Sequence, residues 1–365
     1  MSRTSSTDSA ARADRLAAAL PARELDALLV TNLVNVRYLT GYTGSNGLAV
    51  VGGGDLRRFV TDFRYEQQIQ EQVHGYERVI GETDLLEQIL PGLPSGDVRL
   101  GFDDQTVSVK THARLRELLP ERVELVAAGG AVEQLRLVKD AHEIERIRAA
   151  TLLADGALEH VLQDGLAGRT EREVALALEH EMQALGAQRP SFDTIVAHGA
   201  HGALPHATPR DVTIASGSLV VIDWGAELDG YCSDCTRTYA AGPVSDDARA
   251  IYETVLTAQL AGLAAVGPGV TGRDADAAAR DVIAAAGHGE HFGHSLGHGV
   301  GIEVHEAPRL SRASTATLAP GNVVTVEPGI YLPGVLGVRI EDLVVVTADG
   351  QDVLTTLPKG LTVIP

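Results

Sequence analysis

The chain has 365 residues and a formal net charge of −19 at pH 7, and its length favours two domains over one. The negative charge argues against nucleic acid or an anionic membrane surface as a partner. No apolar run approaches the length needed to span a bilayer, and the first residues lack the apolar core of a signal peptide. We therefore expect a cytoplasmic protein.

The first part of the chain alternates between helical and extended patterns, which predicts a smaller α/β domain with a mixed or parallel sheet. The predicted helices cover Ala10–Leu20, Phe63–Val73 and Lys110–Leu119, and the predicted strands cover Asp26–Thr31, Gly47–Val51, Arg58–Thr61, Val98–Phe102 and Val123–Val126. The glycines at 52–54 form a turn and no phosphate loop, because neither a Gly-Lys-Ser/Thr sequence nor a helix signal follows. We assign residues 1–130 to this domain and find no cluster of catalytic residues in it.

Residues 131–365 carry helices and strands in sequential blocks, which predicts an α+β domain. The predicted helices cover Ala131–Leu166, Thr170 to about Leu185, Asp246–Val266 and Thr271–Ala286, and the predicted strands cover Ser191–Ala197, Val323–Val326, Val338–Val346 and Val353–Thr356. Thr170 is the expected N-cap of its helix.

A predicted hairpin organises this second part, with the sequence LVVIDWGAELDGYCSDCTRTY over Leu219–Tyr239. Asp229-Gly230 is a strong signal for a two-residue primed turn. Counting back from that turn makes Asp223 and Asp234 diagonal neighbours on one face, roughly 6–8 Å apart at Cβ. Carboxylates that close repel each other unless a cation lies between them. The simpler alternative is a pair of polar residues at a hairpin end.

An internal repeat extends the acid pair. The segment TIASGSLVVIDWG aligns without a gap on TLAPGNVVTVEPG, and Asp223 falls on Glu327. Each copy then runs into a second strand that carries another acid, Asp234 in the first and Glu341 in the second. Two related hairpins predict a duplicated unit around a pseudo-twofold axis. Four carboxylates at such an axis would form an oxygen-rich cage for divalent ions.

Histidines concentrate in the stretch GHSLGHGVGIEVHEAP, Gly293–Pro308. The glycines beside His298 make a regular helix unfavourable and permit a close backbone approach to a ligand, so His294 and His298 do not form a helical zinc pair. The same stretch matches the G-x-S-x-G nucleophile elbow around Ser295. It lacks the preceding apolar strand and a well-separated downstream histidine, so a serine hydrolase is a remote alternative.

Cys232 and Cys235 form a C-x-x-C, which occurs in redox pairs and as half of a zinc site. Residues three apart on a strand point to opposite faces, and the chain contains no second cysteine pair. We interpret both cysteines as ordinary small strand residues.

These motifs resemble the pita-bread metallopeptidases, specifically the prolidase and aminopeptidase P branch. The matching stretches are PSFDT, LPHATP, the hairpin, GHGVGIEVHEAP, TVEPG and GVRIED, and YLTGYTGSNG in the first part resembles the N-terminal domain of that branch. The resemblance implies an α+β catalytic domain with pseudo-twofold duplicated halves over residues 131–365, preceded by the smaller α/β domain. Methionine aminopeptidases share the catalytic fold but typically lack such an N-terminal domain.

The resemblance also implies the site. The five expected metal ligands are Asp223, Asp234, His298, Glu327 and Glu341. They would hold two divalent ions, Mn²⁺ in first place with Co²⁺ or Zn²⁺ as alternatives.

The catalytic residues implied are Glu327, which also handles the proton of the attacking water, together with His206, His305 and Arg339. His206 and His305 would hydrogen-bond the substrate and its tetrahedral intermediate, and His294 would lie near the leaving proline. Arg339 would orient a ligand carboxylate or bind a substrate carboxylate. A purely structural ion pair is the simpler alternative for Arg339.

The implied activity is hydrolysis of the bond between an N-terminal residue and proline, on small peptides with proline in second position. The compact length and the ending Leu357–Gly360 favour an Xaa-Pro dipeptidase over an Xaa-Pro aminopeptidase acting on longer peptides. A creatinase-like hydrolase and a non-catalytic binding protein of the same fold are remote alternatives. We expect a homodimer.

Overall fold

The computed structural model describes residues 6–365, with side chains from Ser9 onward. The first five residues of the predicted N-terminal domain lie outside the described residues. The chain divides into two compact units, residues up to Arg136 and Leu137–Pro365, and the predicted boundary after residue 130 lies close to this division. Within the described part of the chain, no helix is both long enough and apolar enough to cross a membrane.

The first unit is built on one six-stranded mixed sheet. Its helices are α1 (Ser6–Ala19), α2 (Leu33–Thr40), α3 (Glu66–Gln72), α4 (Val109–Leu118) and α5 (Ala131–Arg136), and its strands are β1 (Ala27–Val30), β2 (Leu48–Gly52), β3 (Arg57–Asp62), β4 (Glu77–Gly81), β5 (Val98–Phe102) and β6 (Val123–Ala127). The strand order is β4-β3-β2-β1-β5-β6. Strand β2 is antiparallel to both neighbours and the other pairs are parallel. The predicted α/β character is confirmed, although α2 and β4 were not predicted.

The second unit carries two helix pairs and a series of short strands. Its helices are α6 (Ala141–Leu162), α7 (Glu171–Ala184), α8 (Asp246–Ala265) and α9 (Gly272–Ala285), and its strands are β7 (Arg189–Pro190), β8 (Ile195–His198), β9 (Ser218–Trp224), β10 (Ala226–Leu228), β11 (Tyr231–Cys232), β12 (Cys235–Ala241), β13 (Gly297–Gly299), β14 (Glu306–Leu310), β15 (Val323–Val326), β16 (Gly329–Leu332), β17 (Leu336–Arg339), β18 (Asp342–Val346), β19 (Gln351–Val353) and β20 (Val363–Ile364). Helices α6 and α7 share one hydrophobic cluster with β9, and α8 and α9 share another with β15.

The two halves of this unit repeat the same local contacts. Thr170 caps α7 and forms an isolated bridge with Thr213, while Thr271 caps α9 and forms the corresponding bridge with Thr317. Thr213 and Thr317 are the first residues of the two aligned sequence repeats. The duplication that the repeat predicted is therefore present in the structure.

The central hairpin has the predicted turn and register. Asp229 and Gly230 have φ angles of 50° and 80°, the left-handed values that a primed two-residue turn requires. The cross-strand partners are Leu228 with Tyr231, Glu227 with Cys232, and Asp223 with Thr236. Because Asp234 lies two residues before Thr236, it shares a face with Asp223. The diagonal placement of the two acids is confirmed.

The long helix predicted over Ala131–Leu166 is interrupted. Helix α5 ends at Arg136, and α6 begins after Asp140, whose side chain forms a capping box with Glu143. In the break, the Lys139 amine is buried 3.0 Å from the carboxylate of Glu306. This long-range ion pair and the cap outweigh the helical propensity of the segment.

The strand predicted over Val338–Val346 is interrupted as well. It ends as β17 at Arg339 and resumes as β18 at Asp342. Glu341 lies in the gap, where its amide donates to the carbonyl of Thr236 in the first half. The interruption brings the Glu341 side chain to the acids of the central hairpin.

Candidate active site

Three carboxylates converge between the two halves of the second unit. Asp223 lies near the end of β9, Asp234 directly before β12, and Glu341 between β17 and β18. One oxygen from each lies within 4.8 Å of the others. The hairpin geometry and the duplication together thus bring three of the four predicted carboxylates into one group, and Glu327 lies outside it.

His298 connects Glu327 to this group. Its Nε2 lies 3.3 Å from Glu327 Oε1 and 3.5 Å from Asp234 Oδ2. Its Nδ1 lies 3.1 Å from the carbonyl oxygen of Gly299, which can only accept, so Nδ1 carries the proton. In the neutral ring, Nε2 therefore presents a lone pair to the acids. A histidine that binds a metal has this arrangement.

The glycines beside His298 permit close packing between strands. A Cβ atom at Gly297 would overlap the carbonyl oxygen of Thr325, and one at Gly299 would overlap that of Ala307. The close approach that the glycines indicated is therefore to β14 and β15 rather than to a ligand. It holds His298 on strand β13, so the expectation that this stretch is not helical is confirmed.

The acidic group fits divalent cations. Asp223 Oδ1 and Glu341 Oε1 are buried and have no hydrogen-bond partner among the described residues. Burial raises the pKa of Asp223, Asp234 and Glu341, and repulsion from neighbouring carboxylates adds to the rise, although Arg339 partly offsets it at Asp223. Buried acids with unused oxygens are costly unless cations balance them. Four carboxylates and one imidazole suit hard divalent ions.

Arg339 fixes the position of Asp223. Its Nη2 donates to Asp223 Oδ2 at 2.6 Å, and its Nε donates to Thr236 Oγ1 at 2.9 Å. Thr236 in turn donates to Glu341 Oε2 at 2.7 Å. The guanidinium is buried, so Arg339 orients one acid directly and a second through a hydroxyl group. Although Arg339 is only two residues from Glu341 in the chain, its direct partner is Asp223, on the other half.

One cavity of about 580 Å³ contains the whole predicted site. All the residues to which the sequence assigned a role line its wall: His206, Asp223, Asp234, His294, His298, His305, Glu327, Arg339 and Glu341. The structure therefore brings together residues that are far apart in the chain. Their individual roles remain predictions.

The three histidines outside the acidic group are placed differently. His206 and His305 are exposed on the cavity wall, and the His305 ring lies 4.3 Å, centroid to centroid, from that of His298. Partial desolvation within the cavity lowers the pKa of His305 to about 4, and His298 and Arg309 add to this. His305 is therefore neutral at pH 7 and has one ring N–H to donate.

His294 already uses both ring nitrogens. Its Nδ1 donates to the carbonyl oxygen of Ser295 at 2.8 Å, and its Nε2 lies 2.8 Å from the hydroxyl group of Tyr331. Arg339 Nη1 donates to that hydroxyl oxygen, so the tyrosine donates its own proton to His294. The ring can contact a substrate through its face, whereas a hydrogen bond to the substrate would have to displace Tyr331.

Several cavity residues were not identified from the sequence. Arg309 lies on β14 in the cavity wall, and Phe192 and Ile195 contribute apolar surface. Helix α7 contributes Arg172, Ala175, Leu176 and Glu179. Their spacing of three and four residues gives a single helical stripe, but that pattern in the sequence does not show what the stripe faces.

The two alternative motifs find no support in the geometry. The G-x-S-x-G segment at 293–297 runs into strand β13, whereas a nucleophile elbow runs into a helix. Cys232 and Cys235 are both buried and free, and they belong to different hydrophobic clusters. Burial raises the pKa of each thiol, which leaves both in the unreactive protonated form.

Comparison with known proteins shows which family models match this chain. The description "Metallopeptidase family M24" matches residues 145–348, and "Creatinase/Prolidase N-terminal domain" matches residues 12–138. "Uncharacterized peptidase YqhT" of Bacillus subtilis (strain 168) is 47% identical over 341 residues, which are 93% of this chain and 96% of that protein.

Solved structures agree closely along the whole chain. The Xaa-Pro dipeptidase from Bacillus anthracis has 41% sequence identity and a TM-score of 0.93, covering 97% of this chain and 99% of that one. The X-Pro aminopeptidase from Thermotoga maritima MSB8 has 35% identity and a TM-score of 0.88, covering 97% of this chain and 100% of that one.

The fold and the acidic site thus define a peptidase that works with divalent metal ions. The chain belongs to metallopeptidase family M24, and its second unit has the pita-bread fold. The predicted family, fold class and enzymatic nature are confirmed, and the non-catalytic alternative is set aside.

Proposed function

We propose that this peptidase removes an N-terminal residue that precedes proline, with Xaa-Pro dipeptides as its main substrates. The observation that carries the proposal is the group of three carboxylates with two unpartnered buried oxygens, beside which lie His298 and Glu327. The names of the two similar solved structures support proline specificity. An Xaa-Pro bond has no amide N–H, so the site has to act on the carbonyl group, toward which the exposed histidines can donate.

Asp223, Asp234, His298, Glu327 and Glu341 would hold two divalent ions, which when bound polarise the scissile carbonyl and lower the pKa of the attacking water. Because oxygen donors dominate this set, we propose Mn²⁺ as the native metal, with Co²⁺ or Zn²⁺ as alternatives.

The chain's own residues supply the proton transfer and the hydrogen bonds. Thr325 Oγ1 donates to Glu327 Oε1 at 3.1 Å, which leaves Oε2 to accept the proton of the attacking water. The same carboxyl group can deliver that proton to the proline nitrogen as the C–N bond breaks. His206 and His305 would donate to the carbonyl oxygen as negative charge develops on it.

The metal requirement is tested by chelation and metal analysis. We expect two ions per chain, loss of Ala-Pro hydrolysis on chelation, and recovery with Mn²⁺ that is greater than with Zn²⁺. Full activity of metal-free protein would contradict the proposal.

We further propose that the protein is a homodimer and is cytoplasmic. Size-exclusion chromatography with light scattering tests the homodimer, and cell fractionation tests the cytoplasmic location.

Arg309 favours a dipeptidase over an aminopeptidase. Its guanidinium is exposed in the cavity near His305, and the described residues include no carboxylate that pairs with it. A dipeptide places its free carboxylate one residue beyond the scissile bond, where an unpaired arginine can bind it. A longer peptide has an amide at that position.

Comparing Ala-Pro with Ala-Pro-Gly tests this preference. Arg309→Gln should lower kcat/KM for Ala-Pro by at least about tenfold, the loss of a charge-assisted hydrogen bond, and change that for Ala-Pro-Gly much less. Arg312→Gln, on the same segment but outside the cavity wall, is the matched control. A wild-type preference for Ala-Pro-Gly would instead support the aminopeptidase.

A further inference from the structure

A fully buried carboxylate, Glu171, lies behind the cavity wall. It is the first residue of α7 and has no exposed surface. Its oxygens accept hydrogen bonds from His198 N at 3.0 Å and Nδ1 at 2.8 Å, His201 Nδ1 at 2.9 Å, and Arg210 N, Nε and Nη2 at 3.1, 3.1 and 3.2 Å. Because a carboxylate only accepts, both histidine rings must donate from Nδ1.

These bonds hold both ends of one loop. His198 ends β8, and Arg210 lies beyond the LPHATP motif, so the segment between them leaves Glu171 and returns to it. His206 lies in that loop, four residues before Arg210, and lines the cavity. The carbonyl oxygen of Pro205 accepts from Arg339 Nη1 at 3.2 Å, which ties the loop to the residue that orients Asp223.

Glu171 is also the first residue of the helix that forms a second wall of the same cavity. Directly after it, α7 presents Arg172, Leu176 and Glu179 to the cavity. A shift of Glu171 relative to the loop would therefore change the distance between the α7 wall and His206. Glu171 contacts no predicted metal ligand in the described structure, so its influence on the acidic group is indirect.

We infer that Glu171 is a positioning residue that sets the location of His206 against the acidic group. This inference rests on the proposed role of His206 in Xaa-Pro hydrolysis. A displacement of about 1 Å at a reacting group can cost on the order of 100-fold in rate, so a carboxylate that fixes both ends of the loop acts on turnover without touching the substrate.

A double-mutant cycle with His206 tests the inference. Glu171→Gln keeps the shape of the side chain but removes the charge, and should lower kcat for Ala-Pro by about 10- to 100-fold. KM should change less, and both metal ions should remain. If Glu171 acts through His206, adding Glu171→Gln to His206→Ala should cost less than about threefold more, because contacting or coupled residues are not additive.

The matched control is Glu173→Gln in the same helical turn. Glu173 is exposed and accepts from the Thr170 amide, so its loss weakens the cap but leaves the loop bonds intact. Turnover at a temperature where the protein is folded should stay within about twofold of wild type. Should Glu171→Gln fail to fold, Arg210→Gln serves in the cycle, because its side chain is 46% exposed and its loss removes side-chain bonds to Glu171.

The possible outcomes distinguish a failure of the Glu171 inference from a failure of the proposed function. Losses that multiply in the double variant would show that Glu171 has only a structural role, and so would metal loss in Glu171→Gln; either result overturns the inference and leaves the proposed function standing. Unchanged turnover in His206→Ala would instead contradict the proposed role of His206 itself.

Discussion

Two neighbouring histidines, His298 and His305, offer the sharpest test of which residues bind metal and which act on the substrate. His298 is buried with Nε2 between Glu327 and Asp234, whereas His305 is exposed on the cavity wall with its ring 4.3 Å from that of His298. We expect His298→Ala to lose metal and His305→Ala to keep both ions. The two rings are close neighbours, so a difference in metal content between the two variants reports the role of each ring rather than its location.

The magnitudes follow from the surroundings of each ring. His305 has one N–H to donate at neutral pH because partial desolvation within the cavity lowers its pKa to about 4. Losing one donor to a developing oxyanion costs about 10²–10³ in kcat, or roughly 3–4 kcal/mol, and affects KM less. His298 supplies the single imidazole of the donor set. Its loss should weaken metal binding by more than the roughly 10- to 100-fold typical of losing an outer-shell partner.

Metal content by mass spectrometry and steady-state kinetics on Ala-Pro decide the matter. Because His305 is neutral throughout the range, the loss in His305→Ala should not vary between pH 6 and 8. Added Mn²⁺ should partly restore His298→Ala and leave His305→Ala unchanged. Metal loss in His305→Ala with retention in His298→Ala would show that the two roles are reversed.

Three further predictions concern individual side chains. Asp234→Asn removes a charged ligand at constant volume and should cost at least about 10- to 100-fold in activity and weaken metal binding; unchanged metal content would contradict its role. Replacing Cys232 and Cys235 together by serine should leave activity largely intact, and inactivation of wild type but not of the variant by a thiol reagent would contradict this. In the first unit, burial raises the pKa of Asp103 to about 6, so its ionisation lowers stability as pH rises from about 4 to 6, and the loss is complete above 6. Asp103→Asn should therefore raise the free energy of unfolding by about 2–3 kcal/mol at pH 7, at about 1.4 kcal/mol per pKa unit, and urea unfolding should show this gain vanish by about pH 4.

Local rules of the sequence determined the centre of the site. The Asp229-Gly230 turn fixed the hairpin register because few residues accept positive φ, and the two-residue period of a strand then placed Asp223 and Asp234 on one face. The gapless repeat aligned Glu327 with Asp223, and Glu341 follows in the second copy as Asp234 does in the first. Periodicity and turn chemistry act over a few residues, so the printed chain contains them completely.

Helix ends depended on a mixture of local and distant contacts. Thr170 was identifiable as a cap because its partner lies three residues away. The break between α5 and α6 was missed although the Asp140–Glu143 capping box is equally local; its other cause, the pairing of Lys139 with Glu306, spans a separation of 167 residues. A segment with high helical propensity gives no sign of such a partner.

The partners of the side chains were decided only in three dimensions. Arg339 lies two residues from Glu341 in the chain, yet it donates to Asp223, 116 residues away. Glu171 is a second example. Its six hydrogen-bond donors belong to His198, His201 and Arg210, and no sequence pattern connects these residues to it. A pattern specifies which face a side chain occupies, but the group that it meets there depends on how the two halves pack, because a hydrogen bond requires a donor within about 3 Å whatever its position in the chain.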